Sequence, residues 1–276
     1  NTIAGRYKLV IKISGDDPSV EAEHLESAAA TASGILLVPT CSSTSTPIIE
    51  QTVKSGTPLV CLDTVPKDVS VDAVISDNYN DTLKALRHLI NKGHSCIAHL
   101  TERNMDISSI KERFEAHRQA LQEAGIEDPS YLVRTFMPPC DWEYLRQSVF
   151  DALGAMLHRP MPPTAVFCLG EVYLSAVLDV CAELELSVPH DVEIISYFEQ
   201  PWMLGRRAYG VNRIIQKFDE IGKLAAEKIL KRLQGDDSEP AIIRVPADFY
   251  PAGEVVHSPA FVNGNIIKQS SNCDAI

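Results

Sequence analysis

What this chain has little of narrows its functions at once. No apolar run in its 276 residues approaches the roughly 18 residues of a membrane-spanning helix. Positive charge is scarce: the formal net charge is −12. The densest basic group is Arg206, Arg207 and Arg213, too few charges to hold the phosphates of a DNA site. Neither nucleic acid nor an anionic membrane is therefore an expected partner of the chain itself. The seven cysteines (Cys41, Cys61, Cys96, Cys140, Cys168, Cys181, Cys273) show no CxxC or metal-ligand spacing. Several lie inside apolar runs and read as small buried hydrophobes in a reducing compartment. A GxGxxG loop is absent, and no nucleophile triad is credible. Asp63 and Glu171 could be imagined as an acid–base pair, but nothing in the sequence brings them together. No catalytic residue, metal or cofactor is expected. No signal-peptide pattern is seen, and the opening NTIAGRYKLVIKIS reads as a fold already under way.

What is present is an α/β pattern. Hydrophobic residues make up 45% of the chain, enough for one large domain or two lobes. Strands are expected at Lys8–Ile13, Gly34–Val38, Pro58–Leu62, Ala73–Ser76, Cys96–Leu100, Leu132–Thr135, Ala165–Cys168, Glu193–Tyr197 and Ala241–Val245. Helices are expected at Val20–Thr31, Ser45–Ser55, Asn80–Lys92, Ile110–Ala124, Asp141–Leu157, Tyr173–Leu184 and Phe218–Leu233. Such alternation implies parallel sheets with helices on both faces. Crossings between two lobes are expected near Thr101, Gln216 and Pro246. That gives an N-terminal lobe of 1–100 plus 217–245, a C-terminal lobe of 101–216 plus 246–255, and an irregular tail over 256–276.

One stretch, Asp77 to Ile126, is the most informative. Leu83, Leu86, Leu89 and Ile90 recur at helical spacing, Gly93 suits a left-handed C-cap, and Cys96 to Leu100 reads as a buried strand. The next helix, opening near Ile110, places Arg113 in its first turn, where the helix dipole disfavours a cation. Such an Arg is either solvated or faces the strand's carboxyl end. Ligands of open parallel sheets sit outside those carboxyl ends. Candidates there are Thr40, Asp63, Asp77–Asn80, Thr101–Arg113, Gly170–Tyr173, Phe198–Trp202 and Gln216–Phe218.

Read in order, GILLVPT, GTPLVCLDT, SDN, HLINKGHSCIAHL, RFEAHRQALQEAGI, PTAVFC, SVPHDVEIISYFE and IIQKFDEIGKLAAEKIL resemble the effector-binding core of the lac/galactose repressor family (LacI/GalR). The resemblance runs from about Tyr7 to Val245. It implies a two-lobed fold like that of periplasmic sugar-binding proteins, with a small sugar-like effector between the lobes. It also implies a cytoplasmic transcription regulator that dimerises and contacts operator DNA through an N-terminal helix-turn-helix. That headpiece, and the family's first strand and helix, have no counterpart in this chain. The missing strand would lie beside Tyr7–Ile13. A solute-binding protein of a sugar transporter shares the fold and stays an alternative, as does a truncated regulator without a working pocket.

The resemblance also points to site residues. Arg113 matches the family's effector-binding Arg, whose guanidinium can donate two parallel hydrogen bonds; the alternative is a surface pair with Glu112 or Asp106. Trp142 matches an aromatic that packs on the ligand, or it closes the C-terminal lobe. Gln216 and Phe218 match the crossing segment that lines the cleft, or Phe218 packs the hinge. Asp77, Asn78 and Asn80 either face hydroxyls or cap the following helix. Two positions depart from the pattern. Gly170 and Glu171 stand where the family usually has Asn-Asp, and Phe198 stands where it usually has a sugar-binding Asp. An amide and a carboxylate are thereby lost, which implies a more apolar C-terminal wall and an effector other than a simple free hexose; the alternative is that Glu171, or Glu199 after Phe198, compensates.

Overall fold

The computed structural model describes residues 7–127, 133–136, 141–198, 210–254, 260–262 and 265–267. Two sheets organise them. The first has the order β1 (Ile35–Leu37), β2 (Leu59–Leu62), β3 (Asp72–Ser76) and β9 (Ile242–Val245), all parallel. Helices α1 (Pro18–Thr31) and α2 (Thr46–Lys54) cover one face, burying Leu25 and Ile49 with Ile35, Leu59, Cys61, Ala73 and Ile75. Helix α7 (Phe218–Leu233) covers the other through Ile221, Ala225 and Ile229 against Val60, Val74 and Val245. Local chemistry sets the start of α1: the Asp17 carboxylate accepts from the Ser19 and Val20 amides, and Pro18 opens the first turn.

The second sheet has the order β10 (Asp248–Tyr250), β8 (Val211–Ile215), β7 (Glu193–Phe198), β6 (Ala165–Cys168), β4 (Ile97–Glu102) and β5 (Val133–Phe136). Only β10 runs antiparallel. Alternation along β4 divides its side chains. Ala98 and Leu100 enter a core with α5 (Trp142–Leu157) and α6 (Glu171–Glu183). Ile97 enters a second core with α3 (Asn78–Asn91) and α4 (Ser108–Glu123), where Leu83, Leu86 and Leu89 meet Ala116, Ala120 and Leu121. Two lobes result, each a sheet sandwiched by helices.

Several expectations need correction. The helix α3 and strand β4, expected in the N-terminal lobe, belong to the second sheet, because the Leu83–Leu86–Leu89 face is buried against α4. The first crossing therefore lies at Asp77, between β3 and α3, and not near Thr101. The crossings near Gln216 and Pro246 do separate elements of different sheets. Lys8–Ile13 pairs with no strand and is exposed, Ile11 at 77% and Ile13 at 82%. β1 forms the edge of its sheet, and an isolated extended segment has no ladder partner there. Two strands were not expected from the sequence, Val211–Ile215 and Asp248–Tyr250. The expected tail contains a short antiparallel pair, β11 (Ala260–Val262) with β12 (Asn265–Ile267). Helix α4 begins at Ser108, two residues earlier than expected, which moves Arg113 into its second turn.

Candidate functional site

The carboxyl ends of β3, β6, β7 and β8 converge on one side chain. Arg113, on α4, is buried at 7% exposure. Its Nε donates to Asn78 Oδ1 at 2.9 Å, Nη1 to the Leu169 carbonyl at 3.0 Å, and Nη2 to Gln216 Oε1 at 3.3 Å. The guanidinium carbon lies 3.6 Å from the centre of the Tyr197 ring, a cation–π contact. Burial pushes the Tyr197 phenol up to about 12, against the lowering effect of Arg113 beside it. The ring is fixed at its far end: its hydroxyl shares a 2.9 Å hydrogen bond with Thr82 and donates to the Asn78 carbonyl.

These partners sit where the chain passes between lobes. Asn78 opens α3 just after the first crossing, and Gln216 follows β8 just before the second. Gln216 Oε1 also accepts from Ser76 Oγ at 2.8 Å, at the end of β3. A row of buried polar side chains lies beneath: His99 and Thr101 occupy the face of β4 that looks toward α4, and the register sets Thr101 level with Tyr197. Neither His99 ring nitrogen nor the Thr101 hydroxyl has a hydrogen-bond partner among the described residues. His99 stacks on Phe167 with ring centres 4.6 Å apart. Burial holds its imidazole well below the usual range, reinforced by His117 and Arg113.

Helix α4 also touches the N-terminal lobe. Ser108 Oγ shares a 2.8 Å hydrogen bond with Thr64 Oγ1 and lies 2.9 Å from the Val65 amide nitrogen, which donates to it. One turn on, Glu112 takes a two-pronged pair from Arg244 of β9 at 2.7 and 2.8 Å. Ser108 and Glu112 thus clasp the other lobe while Arg113 turns inward.

The remaining candidates are placed as follows. Gly170 caps α6 in extended backbone beside Leu169, and a methyl group there would meet nothing within 4 Å. Phe198 is fully buried in the core shared with α5 and α6. Trp142 is the first residue of α5 and 41% exposed. Phe218 opens α7 and packs, partly buried, on the core of the N-terminal lobe. Asp77 and Asn80 engage one another, Asn80 Nδ2 lying 2.9 and 3.1 Å from the two carboxylate oxygens. The site therefore joins Arg113, Gln216 and Asn78. Trp142, Phe218, Asp77 and Asn80 make no hydrogen bond to Arg113. Glu199 and Trp202 lie outside the described residues. The sequence did not single out Tyr197, which reads as one more apolar strand residue; its place next to last at the strand's carboxyl end was the available signal.

Comparison with known proteins gives a consistent result. The profile of the family described as "Periplasmic binding protein-like domain" matches residues 86–251. The HTH-type transcriptional regulator KdgR of Bacillus subtilis (strain 168) is 26% identical over 253 residues, covering 89% of this chain and 71% of that protein. The ribose operon repressor of Escherichia coli (strain K12) is 29% identical over 201 residues, covering 72% of this chain and 58% of that protein. The crystal structure of the transcription regulator CcpA of Lactococcus lactis superimposes with a TM-score of 0.77 at 20% identity, covering 90% of this chain and 89% of that one. With a profile match over more than half its length, the chain belongs to the periplasmic binding protein-like domain family, and the relatives it resembles are transcription regulators of which it spans about 58–71%.

Proposed function

We propose that this chain is the effector-sensing core of a transcription regulator of that type. A small polyhydroxylated metabolite binds between the lobes, with Arg113 as its anchor and Gln216 and Asn78 beside it. The observation that carries this reading is the placing of one buried guanidinium between residues that flank two of the three crossings. A ligand that takes hydrogen bonds from Arg113 changes what those residues hold. It also acts on α4, which clasps the other lobe through Ser108 and Glu112. Effector affinity that differs between lobe arrangements then shifts their balance. In the intact regulator this shift alters operator binding by a helix-turn-helix outside this chain, and pairing of two copies would align two headpieces with two half-sites. Neither catalysis nor a cofactor has a role in this scheme, and it operates in the cytoplasm. Among the described residues no helix is long and apolar enough to cross a membrane. Cys41, Cys61, Cys96, Cys168 and Cys181 are free thiols, which suits a regulator better than an exported solute carrier.

Titration calorimetry of the folded chain against a panel of pentoses, hexoses and their derivatives tests the reading. One-to-one binding by at least one compound is expected, weakened tenfold or more in Gln216→Leu with cooperative unfolding retained. Binding that Gln216→Leu leaves unchanged would place the ligand elsewhere.

A further inference from the structure

Two well-buried carboxylates, Asp72 and Glu193, are met by opposite charge, while Glu21 and Asp81 are held by hydrogen bonds from Thr40 and from the Ala247 amide. Asp72 holds Arg232 at 2.6 Å and Lys228 at 3.2 Å. Glu193 holds Lys92 at 2.6 Å and His94 at 3.0 Å. Arg213, also buried, donates to the Glu254 carbonyl and feels that residue's carboxylate. Arg113 differs. Each of its hydrogen-bond partners is neutral: two amide oxygens, a backbone carbonyl and, beneath, an aromatic ring. No carboxylate among the described residues lies within ion-pairing distance of it. Glu102 is within electrostatic reach, yet it is engaged by the Tyr173 hydroxyl at 3.3 Å, and burial pushes its carboxyl up, toward the neutral form.

A buried cation without a counter-charge is costly to keep, and a ligand that supplies the charge removes that cost. The three hydrogen bonds leave Arg113 one free N–H on Nη1 and one on Nη2, and a carboxylate can accept two such bonds side by side. There is room beside Leu169, because the position of a Gly170 side chain is open. The Thr101 hydroxyl, buried and unpartnered on the same face of the sheet, offers a further hydrogen bond. The Asp that the resemblance leads one to expect at the end of β7 is Phe198, buried in the core, so the described residues of this site carry one negative charge fewer than the resemblance implies. Building on the effector-core reading above, we propose that the effector is a polyhydroxy carboxylate, of the aldonic or uronic acid class, whose carboxylate pairs with Arg113. A single cation matches a monoanion; a phosphate ester, with nearly two charges, would need a second.

Calorimetry with matched compounds tests this: D-glucose, D-gluconate and D-glucuronate, D-ribose and D-ribonate, with D-ribose 5-phosphate as a separate arm. At least one acid is expected to bind ten times more tightly than its neutral parent or the phosphate. Its affinity falls several-fold between 50 and 500 mM salt, about as screening of a charge pair requires, while that of a neutral sugar would not. Arg113→Gln abolishes the preference. Should that variant fail to fold, the salt dependence of the unaltered protein and a Gly170→Leu variant, which fills the open space and weakens acid binding at unchanged charge, decide the matter. A neutral sugar or the phosphate binding more tightly than the acids overturns the carboxylate assignment and leaves the effector-core reading standing. Absence of binding by every compound to the folded protein overturns both.

Discussion

The two sheets of this protein are built to different standards of enclosure. The C-terminal lobe has six strands, and five of them are parallel with helices on both faces. β4, β6 and β7 are buried almost residue by residue. The N-terminal lobe has four strands, ends at a three-residue edge strand, and leaves the apolar segment Lys8–Ile13 unpaired. Leu36 and Val38 beside that edge are also exposed. Rigidity is thus concentrated where Arg113, Tyr197 and Leu169 are held. The other lobe is the looser partner, tied on through Ser76, Thr64 and Arg244.

Core substitutions break this comparison most sharply. Leu86→Ala, fully buried between α3 and α4, is expected to cost about 3 kcal/mol, whereas Ile11→Ala, in the exposed segment, is expected to stay within about 0.5 kcal/mol. Chemical denaturation of both variants checks the pair; similar losses would mean that Lys8–Ile13 is packed after all. Next in size, Asp72→Asn leaves Arg232 and Lys228 facing a neutral group in the N-terminal lobe and is expected to cost about 2–4 kcal/mol. Burial pushes the Asp72 carboxyl up, but Arg232, the Ala241 amide and Lys228 outweigh it and hold it below the usual carboxylate range. Its contribution is therefore present above the unfolded carboxyl's range and is lost in acid, as pH falls through the lowered native value. Asp72→Asn should flatten that acid limb of a melting-temperature profile.

The C-terminal lobe has the opposite pH signature, in a higher window. His99 is kept neutral by burial, with His117 and Arg113 opposing its protonation, while an unfolded imidazole takes a proton below about pH 6.5. Stability is expected to fall as pH drops below that point, by up to about 1.4 kcal/mol per pH unit. His99→Phe, in its aromatic surroundings, should lessen the fall between pH 7 and 5. An unchanged slope would show that another group is responsible. The smallest effect belongs to the clasp: Arg244→Gln, half-exposed opposite Glu112, is expected to cost about 0–1 kcal/mol. Its larger readout is the distance between lobes by small-angle scattering, where no change would show that the clasp does not hold them.

Much of this architecture is legible in the sequence, because buried parallel strands and amphipathic helices write their periods plainly. The misread elements have physical reasons. Val211–Ile215 carries Asn212 and Arg213 in mid-strand, and only the folded lobe supplies Glu193 and the Ile194 carbonyl to Asn212 and the Glu254 carbonyl to Arg213. The first crossing was misplaced because an apolar helix face does not say which sheet it covers. Within the site, Arg113 and Gln216 were legible through the ordered motifs. Asp77 and Asn80 look alike as cleft residues or caps until their mutual hydrogen bonds are seen. Phe198 and Tyr197 alternate on one strand, and which of them meets the guanidinium depends on register and facing, beyond the reach of composition.

The bonds from Arg113 to Asn78 and Gln216 have a mechanical meaning. Two neighbouring chain segments joining two bodies behave as a pair of leaf springs, free to bend independently. A crosspiece fixed to both makes them bend together and stiffens twist more than simple flexion. Here the crosspiece is one planar, charged group, and a second tie runs from Ser76 on the first spring to Gln216 on the other. Whatever draws that group aside changes the direction in which the protein is soft, before it changes any average position.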